Sequence, residues 1–215
     1  ANARTVAITG AKNLDITFPA SGTSYFGSAS GTIATGGGVS LIDGSAATGK
    51  LAINIGTGLT PAAVGLTVKG GVNNDTITLN AVQTTVYGGG GADNFVVSAA
   101  VYGSGKVVTY IADGVQAGDK ITLVDQGTEV WTSTPVSVAS ATSLAAAEGI
   151  VLSSLDGSSA GKIKWFVYGG NTYIVESLTN NGTITEAATT DVVVKIAGVV
   201  DLSASTASGH VLTIV

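Results

Sequence analysis

A nine-residue period governs the middle of this chain. Val68, Ile77, Val86 and Phe95 stand nine residues apart, and glycine and aspartate fall at fixed places between them. Gly88-Gly89-Gly90-Gly91-Ala92-Asp93-Asn94-Phe95-Val96 matches the nonapeptide G-G-x-G-x-D-x-U-x, with U a large apolar residue, at every defined position. Gly70-Gly71-Val72-Asn73-Asn74-Asp75-Thr76-Ile77-Thr78 matches it except that Asn73 replaces a glycine. Asparagine tolerates positive φ better than most residues, so this turn is still expected to close. Each nonapeptide supplies a turn of about six residues and a strand of about three, and about two of them complete one coil of a parallel β-roll. The two glycine–aspartate turns are eighteen residues apart and are therefore expected to stack on one edge. The repeat between them, residues 79–87, keeps Val86 at the inward position but has Thr84 where aspartate belongs. One edge is thus expected to hold metal and the other not.

The nonapeptide is a calcium-binding turn, and the predicted ion lies between Asp75 and Asp93. Gly71, Asn73, Gly88 and Gly90 are the candidate carbonyl ligands. The alternative, ordinary turn aspartates, has chemistry behind it because Asp and Gly both favour turns, but it does not account for a full nonapeptide at repeat spacing.

Composition agrees with a β protein working outside nucleic acid and membrane contexts. Charged residues are 11% of the 215, against roughly 25% in average globular chains. Thr and Val favour strands, and Gly and Ser favour the turns between them. At 45% hydrophobic residues the chain is not of disordered composition. A net charge of −5 with no basic patch argues against nucleic acid and anionic membranes. There is no cysteine, so disulfides and thiolate metal sites are excluded. No run of about 18 apolar residues exists to span a membrane, and residues 1–18 lack the apolar stretch of a signal peptide. Methionine is absent, even at position 1, so the chain reads as part of something longer.

Residues 1–69 read as short strands between turns, including 5–9, 14–18 and 51–55. Beyond the repeats, residues 110–123 place two short strands around a turn bearing Asp113 and Asp119. Residues 141–155 are the plausible helix, weakened by Gly149. Residues 162–168 and 172–176 flank Gly169-Gly170-Asn171 as a hairpin. Residues 191–200 form a β-branched strand and 209–215 one more, with His210 a strand residue. The expectation is an all-β protein: a parallel β-solenoid or β-roll over 1–125, with repeats at 61–96, then a β-rich domain over 126–215 with one short helix.

The order of these segments resembles a known family. The G-G-x-G-x-D repeats, then Asp93-Asn94-Phe95-Val96-Val97, then Ile111-Ala112-Asp113 and Gly118-Asp119-Lys120-Ile121-Thr122-Leu123 are similar to the C-terminal region of repeats-in-toxin proteins exported by type I secretion, and to the end of the β-roll of serralysin-like proteases. Residues 165–175 and 191–202 resemble the closing segments of type I secreted surface-layer proteins. The likeness covers about residues 61–215, and the low-charge part before it is similar in style to bacterial S-layer proteins. Gly114 departs from the family, which commonly has an aromatic there.

The resemblance implies an uncleaved C-terminal secretion signal, export of the unfolded chain through the type I machinery, and folding outside the cell when millimolar calcium closes the aspartate turns. It also implies that Asp113 and Asp119 form a second calcium site, with a solvated turn as the alternative. The expected function is non-enzymatic: a secreted structural component of a bacterial surface layer, whose partners are copies of itself, with cell-surface polysaccharide a further candidate. The alternatives are the export module of a secreted enzyme lacking its catalytic domain, and an adhesin module.

Other motifs weigh less. Residues 44–51 nearly match a phosphate-cradling loop, but Leu51 stands where the magnesium-binding Ser or Thr belongs. Residues 157–161 match G-x-S-x-G, yet a nucleophile elbow needs a strand–turn–helix setting and a histidine. The single histidine, His210, also rules out H-E-x-x-H zinc chemistry. Trp131, Trp165, Tyr168 and Tyr173 could form a sugar-binding face, although aromatics in hairpins pack more often as cross-strand pairs.

Overall fold

A computed structural model describes residues 4–17, 24–26, 29–31, 39–55, 65–79, 84–97, 109–154, 161–178 and 191–215. In chain order the strands are β1 (Arg4–Gly10), β2 (Leu14–Thr17), β3 (Ser24–Phe26), β4 (Ala29–Gly31), β5 (Val39–Ala47), β6 (Leu51–Asn54), β7 (Leu66–Lys69), β8 (Thr76–Thr78), β9 (Thr84–Tyr87), β10 (Asn94–Val96), β11 (Thr109–Ile111), β12 (Lys120–Thr122), β13 (Val130–Trp131), β14 (Lys162–Tyr168), β15 (Asn171–Ser177), β16 (Val192–Ile196), β17 (Thr206–Ser208) and β18 (Val211–Thr213). One helix, α1 (Leu144–Ser153), lies between β13 and β14. The described residues are therefore all-β apart from that helix.

The strands make two mixed sheets. The first has the order β1-β5-β7-β9-β11-β16-β15-β14-β13, and the second β17-β18-β12-β10-β8-β6-β2-β3-β4. From β5 to β12 the chain alternates between them, and every same-sheet neighbour in that stretch is parallel. Antiparallel pairing enters in the β2–β3–β4 meander, and with β15, β14, β17 and β18. Both sheets, and the main core between them, draw residues from either side of residue 125.

The nine-residue period becomes two columns of apolar side chains. Ile42, Val68, Val86, Ile111 and Ile196 align across the first sheet. Ile16, Ile53, Ile77, Phe95, Ile121 and Leu212 align across the second. All eleven are buried. Strand side chains alternate between faces, so β8, β10 and β12 each bury one residue, while β6, β7, β9 and β11 each bury two, spaced two apart. Burying each apolar residue of the columns contributes roughly 1.5–3 kcal/mol.

A second, smaller core lies on the outer face of the first sheet, where α1 covers Phe166, Tyr173, Val175 and Val193. Phe166 and Tyr173 are opposite one another in the β14–β15 hairpin and stack at 5.0 Å between centroids. The indole N–H groups of Trp165 and Trp131 donate to the Ser133 and Ser205 carbonyls at 2.9 and 3.1 Å. With Trp165 and Tyr173 buried, these aromatics pack rather than present a sugar platform. The hairpin turn is Gly169-Gly170, both at positive φ, as a two-residue type I′ turn requires.

Several expected boundaries shift, the strand ends at 5–9, 14–18, 51–55 and 172–176 by one residue. The helix is shorter than 141–155 and starts after Ser143, whose hydroxyl accepts the Ala146 N–H at 3.1 Å. Ser143→Ala should therefore lower the unfolding free energy by about 1 kcal/mol, measured as a urea midpoint shift. The strand expected over 191–200 stops at Ile196, and the last strand begins at Val211. His210 is consequently a turn residue between β17 and β18 and not a strand residue. Repeat residues 61–64 and 80–83 and most of the G-x-S-x-G stretch, residues 157–160, lie outside the described residues.

Candidate functional site

Asp75, Asp93 and Asp119 each stand immediately before a strand of the second sheet, namely β8, β10 and β12. Because those strands are in register, the three carboxylates form a column. They are 1%, 2% and 2% exposed. Each reaches to the backbone of the neighbouring turn. Asp75 Oδ1 accepts the Leu51 N–H at 2.7 Å, Asp93 Oδ1 the Asp75 N–H at 2.8 Å, and Asp119 Oδ1 the Asp93 N–H at 2.8 Å. The second oxygens of Asp75 and Asp119 accept within their own turns, from the Gly71 N–H at 2.5 Å and the Gln116 N–H at 2.7 Å. The aspartates thus staple one turn to the next.

Three turns, 70–75, 88–93 and 113–119, stack along this edge with the end of β5 and the turn after it, 44–50. The Asn73 side-chain amide donates to the Thr48 carbonyl at 2.7 Å. The Gly90 N–H donates to the Gly71 carbonyl at 3.0 Å, and the Ala92 N–H to Asn74 Oδ1 at 3.1 Å. Asp113, exposed, accepts the Gly89 N–H at 2.9 Å, and the Gln116 amide donates to the Gly89 carbonyl at 2.9 Å. A Cβ on Gly88 would stand 2.4 Å from Asp93 Oδ2, so that glycine lets the backbone lie against the carboxylate.

The structure therefore brings Gly71, Asn73, Asp75, Gly88, Gly90, Asp93, Asp113 and Asp119 to one edge. It differs from the expected pair in extending the column to Asp119, which is buried and not a solvated-turn residue. It also adds two elements absent from the nonapeptide, the 44–50 segment that ends β5 and Gln116. In the turn after β5 the Thr48 and Lys50 N–H groups donate to the Gly10 carbonyl and to Asn13 Oδ1 at 2.9 and 3.0 Å, so the near-match to a phosphate loop over 44–51 spends these donors on packing.

Electrostatically the column is costly. Burial pushes the Asp75 and Asp119 carboxyls above the ordinary range, against the backbone N–H groups that oppose it. Asp93 is pushed up to about 7 by burial first, with Asp119, Asp75 and Asp113 adding repulsion against the Asp75 N–H bond. The described lysine–carboxylate pair, Lys69–Asp43 at 3.5 Å, includes none of the column. Carboxylates with no imidazole or thiol among them are the ligands that a hard divalent cation takes, and here five of the six carboxylate oxygens accept backbone N–H groups.

A second acidic group, not foreseen from spacing, joins Asp125, Glu129 and His210, each with one ligand atom within 4.8 Å of the others. His210 Nδ1 is 3.8 Å from Asp125 Oδ2. The 124–129 loop and the β17–β18 turn are brought together by the Leu123 N–H, which donates to the His210 carbonyl at 2.8 Å. No protein-family model matches the chain, and no curated protein sequence matches it significantly.

Proposed function

We propose that this chain is the C-terminal part of a secreted bacterial surface-layer protein, a non-enzymatic structural module that folds when calcium fills its aspartate turns and then assembles with copies of itself. In this reading residues 1–125 form a parallel β-roll and residues 126–215 carry the type I secretion signal. The observation that carries the proposal is the buried aspartate column: three stacked carboxylates that, among the described residues, have no cationic side chain paired to them. A calcium ion between Asp75 and Asp93, with carbonyls from Gly71, Asn73, Gly88 and Gly90, would offset that repulsion. Asp113 and Asp119 would extend the site along the edge. Metal affinity then becomes folding free energy. Export in low calcium would keep the chain unfolded, and arrival outside would fold it.

At an affinity of about 10⁻⁴ M, typical of extracellular modules, 1 mM calcium adds about 1.4 kcal/mol of stability by mass action. The expected result is a urea midpoint that rises on going from EGTA to millimolar calcium, together with calcium-dependent growth in light scattering. A midpoint indifferent to calcium removes the metal role. A strictly monomeric chain in calcium removes the assembly role and leaves an export module.

A further inference from the structure

We propose that Asp125, Glu129 and His210 form a second metal site, of different chemistry from the aspartate column: a site for a first-row divalent transition metal such as zinc. Its donors come from two places far apart in the chain. Asp125 and Glu129 lie on the loop that carries the chain from β12 in the second sheet to β13 in the first. His210 stands at the turn of the β17–β18 hairpin.

Backbone bonds fix which atoms are left to bind. The Gly127 N–H donates to Asp125 Oδ1 at 2.9 Å. Glu129 Oε1 accepts from the Gln126 N–H and, at 2.9 Å, from the Gly127 N–H. Each carboxylate is thus held by one oxygen on the same short loop. The other Asp125 oxygen, Oδ2, is the one near His210 Nδ1. Asp125 is exposed, and Glu129 and His210 are half-buried, so a metal could enter from solvent and keep a water in its open position.

A separate observation points to a cation at the same loop. Glu176 reaches from β15 across the space between the sheets and is completely buried. Its Oε2 accepts the Val124 N–H at 2.9 Å, one residue before Asp125, while its Oε1 has no hydrogen-bond partner. A buried carboxylate oxygen left unmatched is costly. Here Asp125 and Glu129 share one loop, with Glu176 bonded to its first residue, and the described ion pairs place no lysine or arginine on Asp125 or Glu129. A divalent ion at the loop would supply the charge they lack.

The imidazole decides the class of ion. Calcium takes oxygen ligands, whereas nitrogen and carboxylate together suit zinc and its neighbours. Bound metal would cross-link the β12–β13 loop to the β17–β18 turn, a clamp independent of the calcium edge.

The chain has a single histidine, so its imidazole NMR signals can be read without assignment. With the 215-residue chain in excess calcium, to saturate the aspartate column, zinc chloride is expected to shift the His210 ring signals with a 1:1 endpoint. Calorimetry should give micromolar or tighter zinc affinity, weakened at least 100-fold by His210→Ala and at least 10-fold by Glu129→Gln. Far-UV circular dichroism checks that both variants fold. Ring signals unmoved by 1 mM zinc overturn the site, whatever the variants do. Zinc affinity unchanged in His210→Ala also overturns it, because the ion would then be elsewhere. Loss of calcium-dependent folding alongside intact zinc binding would strike the surface-layer reading and leave this one standing.

Discussion

In EDTA, raising the pH from 5 to 8 should strip several kcal/mol from the stability of this chain. Asp93 has a folded-state pKa pushed up to about 7 from an ordinary 3.8, chiefly by burial. Between those values the folded chain holds a proton that the unfolded chain has released. Stability therefore falls as pH rises through this window, at about 1.36 kcal/mol per unit for one full proton. The contribution is fully present below about pH 4 and lost above about pH 7. Across pH 5 to 8 Asp93 alone accounts for roughly 3 kcal/mol. Asp75 and Asp119 are raised in the same direction, and Glu176, pushed up to about 8 mainly by burial, adds a loss of similar size.

Asp93→Asn separates these sources. Asparagine keeps an oxygen for the Asp75 N–H and removes the charge, so in EDTA at pH 8 the variant should be more stable than the parent by about 2 kcal/mol or more. If the column binds calcium, the same variant loses most of its calcium response. Urea midpoints followed by circular dichroism at pH 5, 6, 7 and 8 read all of this. A midpoint flat across that range, or rising with pH, would show that the column is not a strained cluster of acids.

The second large effect is expected from Gly89→Ala. Gly89 has φ +92, and a Cβ there would stand 2.1 Å from the Gly71 carbonyl oxygen, which is backbone and cannot rotate away. That carbonyl also accepts the Gly90 N–H, so moving it breaks a bond between turns. Left-handed backbone costs an L-residue roughly 1–2 kcal/mol, and forced overlap in a packed site roughly 1–3 more. We expect a total of about 4 kcal/mol. Gly198→Ala is the control, since Gly198 also has positive φ, +81, but a Cβ there would meet nothing within 4 Å. It should cost only about 1 kcal/mol. Equal destabilisation of the two variants would mean that the turns are not tightly stacked.

What could be read from sequence followed how local the determinants were. Val68, Ile77, Val86 and Phe95 obey a fixed period, and a fixed period in parallel strands is also a spatial register, so their alignment and that of Asp75 with Asp93 were legible. The hairpin at Gly169-Gly170 and the helix behind Ser143 were legible for the same reason, since each depends on residues within a few positions. Asp119 was harder. It follows Asp93 after a longer, non-repetitive interval, and only the parallel pairing of β10 with β12 brings it onto the column. The Asp125–Glu129–His210 group was beyond reach, because His210 arrives through antiparallel pairing of β18 onto β12, and no local pattern encodes that return. His210 reads as a strand residue because Val211-Leu212-Thr213-Ile214-Val215 follow it, whereas Gly209, at φ +56, turns the chain just before it.

That antiparallel return also has a kinetic consequence. In the second sheet, strands β6, β8, β10 and β12 can add one after another, each using its predecessor as a template over a short stretch of chain. The next strand onto β12 is β18, and its docking closes a far longer loop, with a correspondingly larger entropy cost. Closure should therefore be the slow, late event of folding. Until it happens, the free edge of β12 remains a growing end, open to the matching strand of another molecule.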